Sequence, residues 1–209
     1  MAAFKRVHRL AWGDTIMKRF VLGITGASGG VYALKAATSI LESGAELHLV
    51  ISKEGLGVLK FETGVTGESF SSSLAKETRS RLFMYRYDES FARIASGSFK
   101  TDGMLIIPCS MSSVAAIANG TGGDLLRRAA DVHLKERRTL VVVPRETPLS
   151  TIHLRNLLLL AESGAVILPA CPGFYAKPSS LEDLVGFVVG RSLDAIGVES
   201  GLAPRWEGR

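Results

Sequence analysis

The fold is decided by residues 19–51, which read RFVLGITGASGGVYALKAATSILESGAELHLVI. An apolar run at 19–24 ends in a turn of small residues at 25–30, and apolar side chains then recur at helical spacing over 31–42. After a Ser-Gly break, a second apolar run occupies 45–51. The pattern predicts a strand, a helix and a second strand that lies parallel to the first, because such a unit needs a right-handed crossover.

The alternation of strand and helix continues along the rest of the chain. Three further apolar runs predict strands, at 104–108, 139–143 and 165–169. Five segments predict helices, at 54–61, 114–118, 125–137, 149–163 and 181–196. Elsewhere between 52 and 100 the pattern weakens and the sequence is often polar, so we expect loop and short helix there.

Nearly continuous apolar strands alternating with helices predict a three-layer α/β fold, with a doubly wound parallel sheet of the Rossmann-like or flavodoxin-like class. Ligands of such sheets bind outside the carboxyl ends of the strands. A length of 209 residues favours one domain, which we expect at 17–209. Basic residues 1–16 are either a targeting peptide or a flexible N-terminal extension, and the extension is favoured because Met17 directly precedes the first strand.

The positive charge of the chain is concentrated in one stretch. The formal net charge is +5, and residues 125–145 alone contain six basic side chains against two acidic ones. This stretch lacks the interleaved aromatic residues of a single-strand nucleic-acid binder, so a small anionic ligand accounts for it better. Nucleic acid is therefore not expected as a partner.

Cysteine usage and hydropathy point to a cytoplasmic protein. Cys109 and Cys171 are far apart and have no CxxC partner, which predicts neither a disulfide framework nor a zinc site. We expect both to be loop-packing residues in a reducing compartment. No apolar run reaches the roughly 18 to 20 residues of a membrane span, so no membrane association is expected.

Two strand ends are followed by turns of small polar residues. The first turn, at 26–29, brings backbone N–H groups and the Ser28 hydroxyl to a helix N-terminus, where an anion is stabilised. The glycine spacing is not the dinucleotide GxGxxG, and there is no GK[ST] of a nucleotide triphosphate P-loop. The second turn, at 110–113, carries three hydroxyls. Together they predict a site for the ribityl phosphate of FMN, although ordinary N-capping by Ser112 or Ser113 accounts for the second turn equally well.

Charged residues on and after the helix that begins near Leu125 are the next candidates. Arg128, Asp131 and Lys135 share one helix face, where they either grip a phosphate or form a solvated salt-bridged surface. Arg137 and Arg138 are expected to face solvent or another subunit. The following strand ends in Arg145 and Glu146, at the edge where ligands bind, while Tyr175 follows the fifth strand and Arg191 lies on the last helix. The histidines show no mutual spacing, and no metal site is predicted.

Several motifs together resemble the UbiX-type flavin prenyltransferases, over residues 17–206. They are Thr-Gly-Ala-Ser-Gly (25–29), Ala-Ser-Gly-Ser-Phe (95–99), Pro-Cys-Ser-Met (108–111), Arg-Ala-Ala-Asp-Val-His-Leu-Lys-Glu-Arg-Arg (128–138), Arg-Glu-Thr-Pro-Leu (145–149) and Pro-Gly-Phe-Tyr (172–175). The resemblance implies transfer of a dimethylallyl group from dimethylallyl phosphate to N5 and C6 of reduced FMN. The product, prenylated FMN, would serve a UbiD-type decarboxylase. It also implies a large homo-oligomer, a dodecamer.

The resemblance further assigns roles by motif position. It implies FMN contacts at Gly26, Ala27, Ser28, Ser52, Ser110, Met111, Ser112, Ser113 and Arg145. It implies a clamp for the prenyl phosphate at Arg128, Lys135, Tyr175 and Arg191. Catalytic roles fall on Ser28, Glu62, Lys135 and Glu146, and we hypothesise that Glu62 faces the flavin N5 region while Glu146 and Ser28 move the released proton.

The chemistry agrees with such a clamp. Breaking an allylic C–O bond puts negative charge on the departing phosphate, which cationic side chains stabilise without a metal, and the Asp-rich magnesium motifs of diphosphate-using prenyltransferases are absent from the sequence. Two alternatives remain open. One is an FMN-dependent cysteine-type decarboxylase, which would not need Lys135, Tyr175 and Arg191. The other is a non-catalytic protein that binds or delivers FMN.

Overall fold

A computed structural model describes residues 17–203 of the chain, and the predicted extension at 1–16 lies outside this range. Within it, six strands are formed: β1 (Arg19–Ile24), β2 (Glu46–Ile51), β3 (Leu82–Tyr85), β4 (Gly103–Cys109), β5 (Leu140–Pro144) and β6 (Val166–Ile167). The same range contains six α-helices: α1 (Gly30–Glu42), α2 (Lys53–Thr63), α3 (Met111–Ala118), α4 (Leu125–Lys135), α5 (Thr151–Glu162) and α6 (Leu181–Ile196).

All six strands are parallel and form one sheet in the order β3-β2-β1-β4-β5-β6. This is the strand order of the Rossmann fold, so the predicted doubly wound parallel sheet is confirmed. The order reverses between β1 and β4. A crevice opens at such a switch point, outside the carboxyl ends of the strands, and it is where ligands bind in this class of fold.

Helices cover both faces of the sheet. Side chains alternate between the faces along each strand, so Leu22 of β1 joins a core with α1, α2 and α6, whereas Val21 joins a second core with α3, α4 and α5. The central strand β4 is buried along its whole length. The result is the predicted three-layer arrangement, in which α4 and α6 lie on opposite faces of the sheet.

The region between α2 and β4 was only partly predicted. We expected loop and short helix there, and three short 3-10 segments are present, but the absence of a strand was a wrong prediction because Leu82–Tyr85 forms β3. β3 lies at the edge of the sheet and pairs only with β2. Three of its four residues are half-buried and one is exposed, so it lacks the continuous buried run that reveals an inner strand.

Helix boundaries followed from local signals. Ser150, the predicted cap of α5, accepts a hydrogen bond from the His153 backbone N–H at 3.2 Å, and the His153 ring accepts one from the Ser150 N–H. Helix α6 covers the predicted residues 181–196. None of the helices in residues 17–203 is long and apolar enough to cross a membrane.

Candidate active site

Thr25 joins the ends of β1 and β4 at the switch point. Its hydroxyl donates to the Pro108 carbonyl at 3.0 Å and accepts from the Ser110 backbone N–H at 2.7 Å. The Thr25 N–H also donates to the Pro108 carbonyl. These bonds hold the two predicted turns side by side. No role was predicted for Thr25, because the role of its side chain depends on the adjacency of β1 and β4, which no local sequence pattern shows.

The second turn presents its hydroxyls at the N-terminus of α3. Ser110 caps the helix by accepting from the Ser113 N–H at 3.3 Å, so capping does occur in this turn, but at Ser110 and not at Ser112 or Ser113. The Ser110 hydroxyl also lies 3.0 Å from the hydroxyls of Ser112 and Ser113. The Met111 side chain is buried in the core, so only its backbone faces the turn.

Glu62 of α2 reaches the first turn and covers the N-terminus of α1. Its carboxylate accepts hydrogen bonds from the N–H groups of Gly29 and Gly30, each at 2.8 Å. Partial burial acts to raise the pKa of Glu62, but hydrogen bonds from the Ser28 hydroxyl and these N–H groups, with the nearby charge of Arg145, outweigh it and lower the pKa. The anion at this helix N-terminus is therefore the protein's own carboxylate, where we had expected a ligand.

Arg145 and Glu146 extend from the end of β5 beside the first turn. The Arg145 Nε donates to the Ser28 carbonyl at 3.1 Å, and its backbone N–H donates to the Cys109 carbonyl. Ser28, Glu62 and Arg145 thus form one cluster. The exposed Glu146 carboxylate accepts from the Thr147 N–H at 3.1 Å, so the structure pairs Ser28 with Glu62 where we had hypothesised Glu146.

Ser52 and two glycines pack β1 against the start of α2. The buried Ser52 hydroxyl caps α2 by accepting from the Gly55 N–H at 3.0 Å, and the Ser52 N–H donates to the Ile24 carbonyl. A Cβ on Gly55 would lie 2.7 Å from that carbonyl, and one on Gly26 would lie 2.6 Å from the Glu54 Cβ. Both positions therefore require glycine. We call residues 25–29, Ser52, Glu62, 110–113 and Arg145 the strand-tip crevice.

Tyr32 lies beside the strand-tip crevice and was not predicted from the sequence. Its ring lies against Gly29, where a Cβ would come within 2.7 Å of the ring. Burial raises the pKa of the Tyr32 phenol, and nearby Cys171 raises it further while Arg145 opposes the shift. The only signal in the sequence was its position in the first turn of the helix that follows the glycine-rich turn.

The cationic residues of α4 are paired within their own protomer, and Lys135 lies away from its crevice. Arg128 forms the predicted pair with Asp131 at 2.6 Å and donates to the Ala95 carbonyl at 3.0 Å, while Lys135 is paired with Glu136. Because α4 runs antiparallel to the strands, Lys135 lies at the end of the helix nearest the amino edge of the sheet. The 11 residues of α4 span about 16 Å. We call residues 95–101 with Arg128, Lys135 and Arg138 the α4 flank.

The other two predicted clamp residues lie on the opposite face of the sheet. The Tyr175 ring makes an edge-to-face contact with Phe187 of α6, with 5.8 Å between the ring centroids. Arg191, also on α6, lies 3.7 Å from Asp194. The structure therefore divides the predicted clamp, with Arg128 and Lys135 on one face and Tyr175 and Arg191 on the other.

Comparison with known proteins identifies the family. Residues 13–193 match the family model described as Flavoprotein. The flavin prenyltransferase LpdB of Lactiplantibacillus plantarum is 48% identical over 193 residues, which cover 92% of this chain and 100% of that protein. The chain belongs to the flavin prenyltransferase family.

Two solved structures of this family share the fold. AnUbiX (PadA1), in complex with FMN and dimethylallyl pyrophosphate, is 41% identical and superimposes with a TM-score of 0.85, covering 92% of this chain and 99% of that chain. The dodecameric FMN-dependent UbiX-like decarboxylase of Escherichia coli O157:H7 is 41% identical with a TM-score of 0.83, covering 91% and 100%.

A flavin prenyltransferase has to hold FMN, and the donor set of the strand-tip crevice fits it. The hydroxyls of Ser110 and Ser112 stand at the N-terminus of α3, whose first N–H groups have no partner within the helix. The guanidinium of Arg145 adds a cation at the same edge. An anion with several hydrogen-bond acceptors, such as a ribityl phosphate, matches this set.

Neither cysteine belongs to the strand-tip crevice as defined above. Cys109 is fully buried, which raises its thiol pKa to about 12 and disfavours a thiolate, so it packs in the core as expected but at the end of β4 and not in a loop. Cys171 is exposed, so its expected role as a packing residue was wrong. Among residues 17–203, no group of three or more His, Cys, Asp or Glu side chains is placed to hold a metal ion.

Proposed function

We propose that this chain transfers a dimethylallyl group from dimethylallyl phosphate to N5 and C6 of reduced FMN. The single observation that carries the proposal is that cationic side chains stand in two separate places, Arg145 in the strand-tip crevice and Arg128 and Lys135 in the α4 flank. A protein that only stores a flavin needs one phosphate site. A transferase that takes a prenyl phosphate as its second substrate needs two.

The crevice supplies the flavin half of the reaction. Ser110, Ser112 and Arg145 hold the phosphate end of FMN, and Gly26 and Ala27 line the turn beside it. Reduced FMN would supply the nucleophilic atoms: the bond to N5 would replace the allylic C–O bond, and the bond to C6 would form at the expense of the dimethylallyl double bond, with a proton gained by the former alkene carbon and one released from C6. Glu62 is ionised at neutral pH and is hydrogen-bonded to the Ser28 hydroxyl, through which it accepts the released proton. Glu146 is the second carboxylate at this edge and the alternative proton acceptor.

The cations supply the leaving-group half. As the C–O bond breaks, negative charge develops on the departing phosphate. Arg128 and Lys135 stabilise this charge in the transition state, because they are positive groups placed where it develops. Lys135 lies toward the amino edge of its own sheet, at the far end of α4 from Arg128, and Tyr175 and Arg191 lie on the other face of the sheet. One protomer therefore does not bring all four to one phosphate, and we infer that neighbouring protomers complete each site.

A large apolar surface on α5 supports such an assembly. Ile152, Leu154, Leu158 and Leu159 are 67%, 53%, 60% and 40% exposed, and only Leu160 of this helix is buried. Monomeric proteins rarely expose apolar surface of this extent. We propose that α5 packs against a second copy of the chain in a homo-oligomer, a dodecamer like its E. coli relative.

Mutation of this surface tests the assembly. We expect Leu158→Glu to reduce the particle mass measured by light scattering, because a buried charge at a subunit interface is costly. Met84→Glu, at a single exposed apolar residue on β3, is the matched control and should leave the mass unchanged. An unchanged mass in both variants would rule out α5 as the interface.

The reaction itself is tested with FMN that has been reduced under anaerobic conditions. The purified protein is incubated with either dimethylallyl phosphate or dimethylallyl pyrophosphate, and the flavin is extracted for mass spectrometry. We expect the mass increment of one five-carbon prenyl group, with the monophosphate as donor. An unchanged flavin on a folded, FMN-bound protein would overturn the transferase proposal and favour FMN delivery.

The product would be consumed by another enzyme. Prenylated FMN has to leave this protein to be useful, and we propose that a UbiD-type decarboxylase receives it. Mixing the anaerobic reaction with a cofactor-free decarboxylase of that type should restore its activity, whereas unmodified FMN should not.

A further inference from the structure

We propose that Arg138 is a positioning residue for the prenyl-phosphate half of the site. Its guanidinium fixes the loop 95–101 against α4 and so holds Lys135 and Arg128 in place. The inference rests on the proposed function, because it deepens the role of the α4 flank. Arg138 contacts neither substrate and acts only by positioning its neighbours.

The contacts of Arg138 are with loop carbonyls. One terminal nitrogen donates to the Phe99 carbonyl at 2.8 Å and lies 3.4 Å from the Thr101 hydroxyl, while the other donates to the Gly97 carbonyl. We had expected Arg138 to face solvent or another subunit, but it is half-buried and bound within its own protomer. A planar guanidinium can bind two diverging carbonyls at once, whereas a lysine ammonium is a single point donor.

A buried histidine attaches the same loop to α4. The Thr101 hydroxyl lies 2.9 Å from His133 Nε2, and His133 Nδ1 lies 2.7 Å from the Ala129 carbonyl. A carbonyl can only accept, so Nδ1 carries the proton and Nε2 accepts from Thr101. Burial lowers the pKa of His133, which agrees with this neutral form. Arg138, Thr101 and His133 therefore form one chain of contacts from the loop to the helix.

The loop also contacts the two cations of α4 itself, Arg128 and Lys135. The Arg128 Nε donates to the Ala95 carbonyl at 3.0 Å. Lys135 and Glu136 fill the space beside Gly97, where an added Cβ would lie only 2.9 Å from the Lys135 Nζ. Displacement of residues 95–97 would therefore move both side chains. Phe99 anchors the loop on the sheet, with its ring edge-on to buried His48 and beneath Arg19.

Two neighbouring arginines offer a test that separates geometry from charge. Arg138→Lys keeps the positive charge but loses the fork that binds two carbonyls. Arg137→Gln removes a charge one residue away. The Arg137 side chain is exposed, and the only hydrogen bond described for this residue is donated by its backbone N–H. A positioning role predicts that the first variant is impaired and the second is not. A role of net charge alone predicts the reverse.

The measurements use the FMN-loaded protein. With oxidised FMN bound, we expect Arg138→Lys to bind dimethylallyl phosphate about 10- to 100-fold more weakly by calorimetry, since small misplacements of binding groups have effects of that size. We expect unchanged FMN affinity, faster hydrogen exchange of the amides at 95–101, and wild-type values for Arg137→Gln. Under reducing conditions, the KM for dimethylallyl phosphate should rise in the same variant.

Several outcomes would overturn the inference. Wild-type affinity and exchange in Arg138→Lys would remove the positioning role, and an equal loss of FMN affinity would show a general structural role instead. If the wild-type protein does not bind dimethylallyl phosphate, both this inference and the proposed function fail. If it binds dimethylallyl phosphate but leaves the flavin unmodified, only the proposed function fails, and the calorimetry and exchange still judge Arg138.

Discussion

The strand-tip crevice and the α4 flank are built in different ways. In the crevice, main-chain groups at the ends of adjacent strands bond to one another, as Ser52 does to Ile24 and Arg145 to Cys109. In the flank, long side chains reach across to the carbonyls of an irregular loop. The sheet therefore fixes the shape of the crevice, whereas the shape of the flank depends on individual side chains. Single substitutions should affect the two regions differently.

The largest expected effect is that of Lys135→Ala. We expect kcat/KM for dimethylallyl phosphate to fall about 100- to 1,000-fold, the usual cost of removing a group that stabilises charge in the transition state. FMN affinity should not change, because Ser110, Ser112 and Arg145, and not Lys135, are proposed to hold the FMN phosphate. Anaerobic turnover assays measure kcat/KM for dimethylallyl phosphate, and titration with FMN measures the FMN affinity. Lys76→Ala, at an exposed lysine, is the control.

The opposite result for Lys135→Ala would reverse the assignment of the two regions. If the variant lost FMN and kept its affinity for dimethylallyl phosphate, the α4 flank would be part of the flavin site. The cations of the two regions would then serve one phosphate, and the observation that carries the proposed function would be lost.

The fold was largely predictable because inner parallel strands are apolar along their whole length. A short run of β-branched residues such as 139–143, bounded by polar residues and a proline, is typical of a strand buried on both faces. The edge strands were harder. β3 was missed, although the run Leu-Phe-Met-Tyr between two arginines offered a weak signal, and β6 is only two residues long where we predicted five. An edge strand has one neighbour and half-exposed side chains, so neither its length nor its periodicity is strongly marked.

The site was predictable where it depends on strand ends and unpredictable where it depends on helix placement. Ser28, Ser110 and Arg145 could be found because parallel strands bring their carboxyl ends to one edge. The separation of Lys135 from Tyr175 could not, because the face that each helix covers is decided by the crossover between strands. Arg138 was missed since a charged residue after a helix is usually solvated.

The second expected effect concerns the crevice. In Arg145→Gln, the Kd for FMN should rise about 10- to 100-fold, because a hydrogen bond to a charged group contributes about 1.5–3 kcal/mol. At saturating FMN, the KM for dimethylallyl phosphate should be nearly unchanged. Arg137→Gln serves as the control for charge. A larger effect on the prenyl substrate than on FMN would show that Arg145 belongs to the leaving-group half.

The smallest expected effect is a pH dependence of stability that arises from Glu62. Its pKa is lowered in the folded protein by the Ser28 hydroxyl and the N–H groups of Gly29 and Gly30, which together outweigh the effect of burial. A lowered pKa means that the stabilisation is fully present above the pKa of the unfolded chain and is lost as the pH falls through the folded value.

FMN-free wild-type protein should therefore melt at a higher temperature than Glu62→Gln at pH 7, and the difference should shrink as the pH falls below the ordinary pKa of a glutamate, about 4.3, and close below the lowered pKa of Glu62. Calorimetry at several pH values measures it, with Glu77→Gln as an exposed control. A difference that persists in acid would mean that glutamine packs poorly at this position. A difference absent at pH 7 would mean that the carboxylate contributes nothing to the crevice before FMN binds, and that the strand ends alone shape this region.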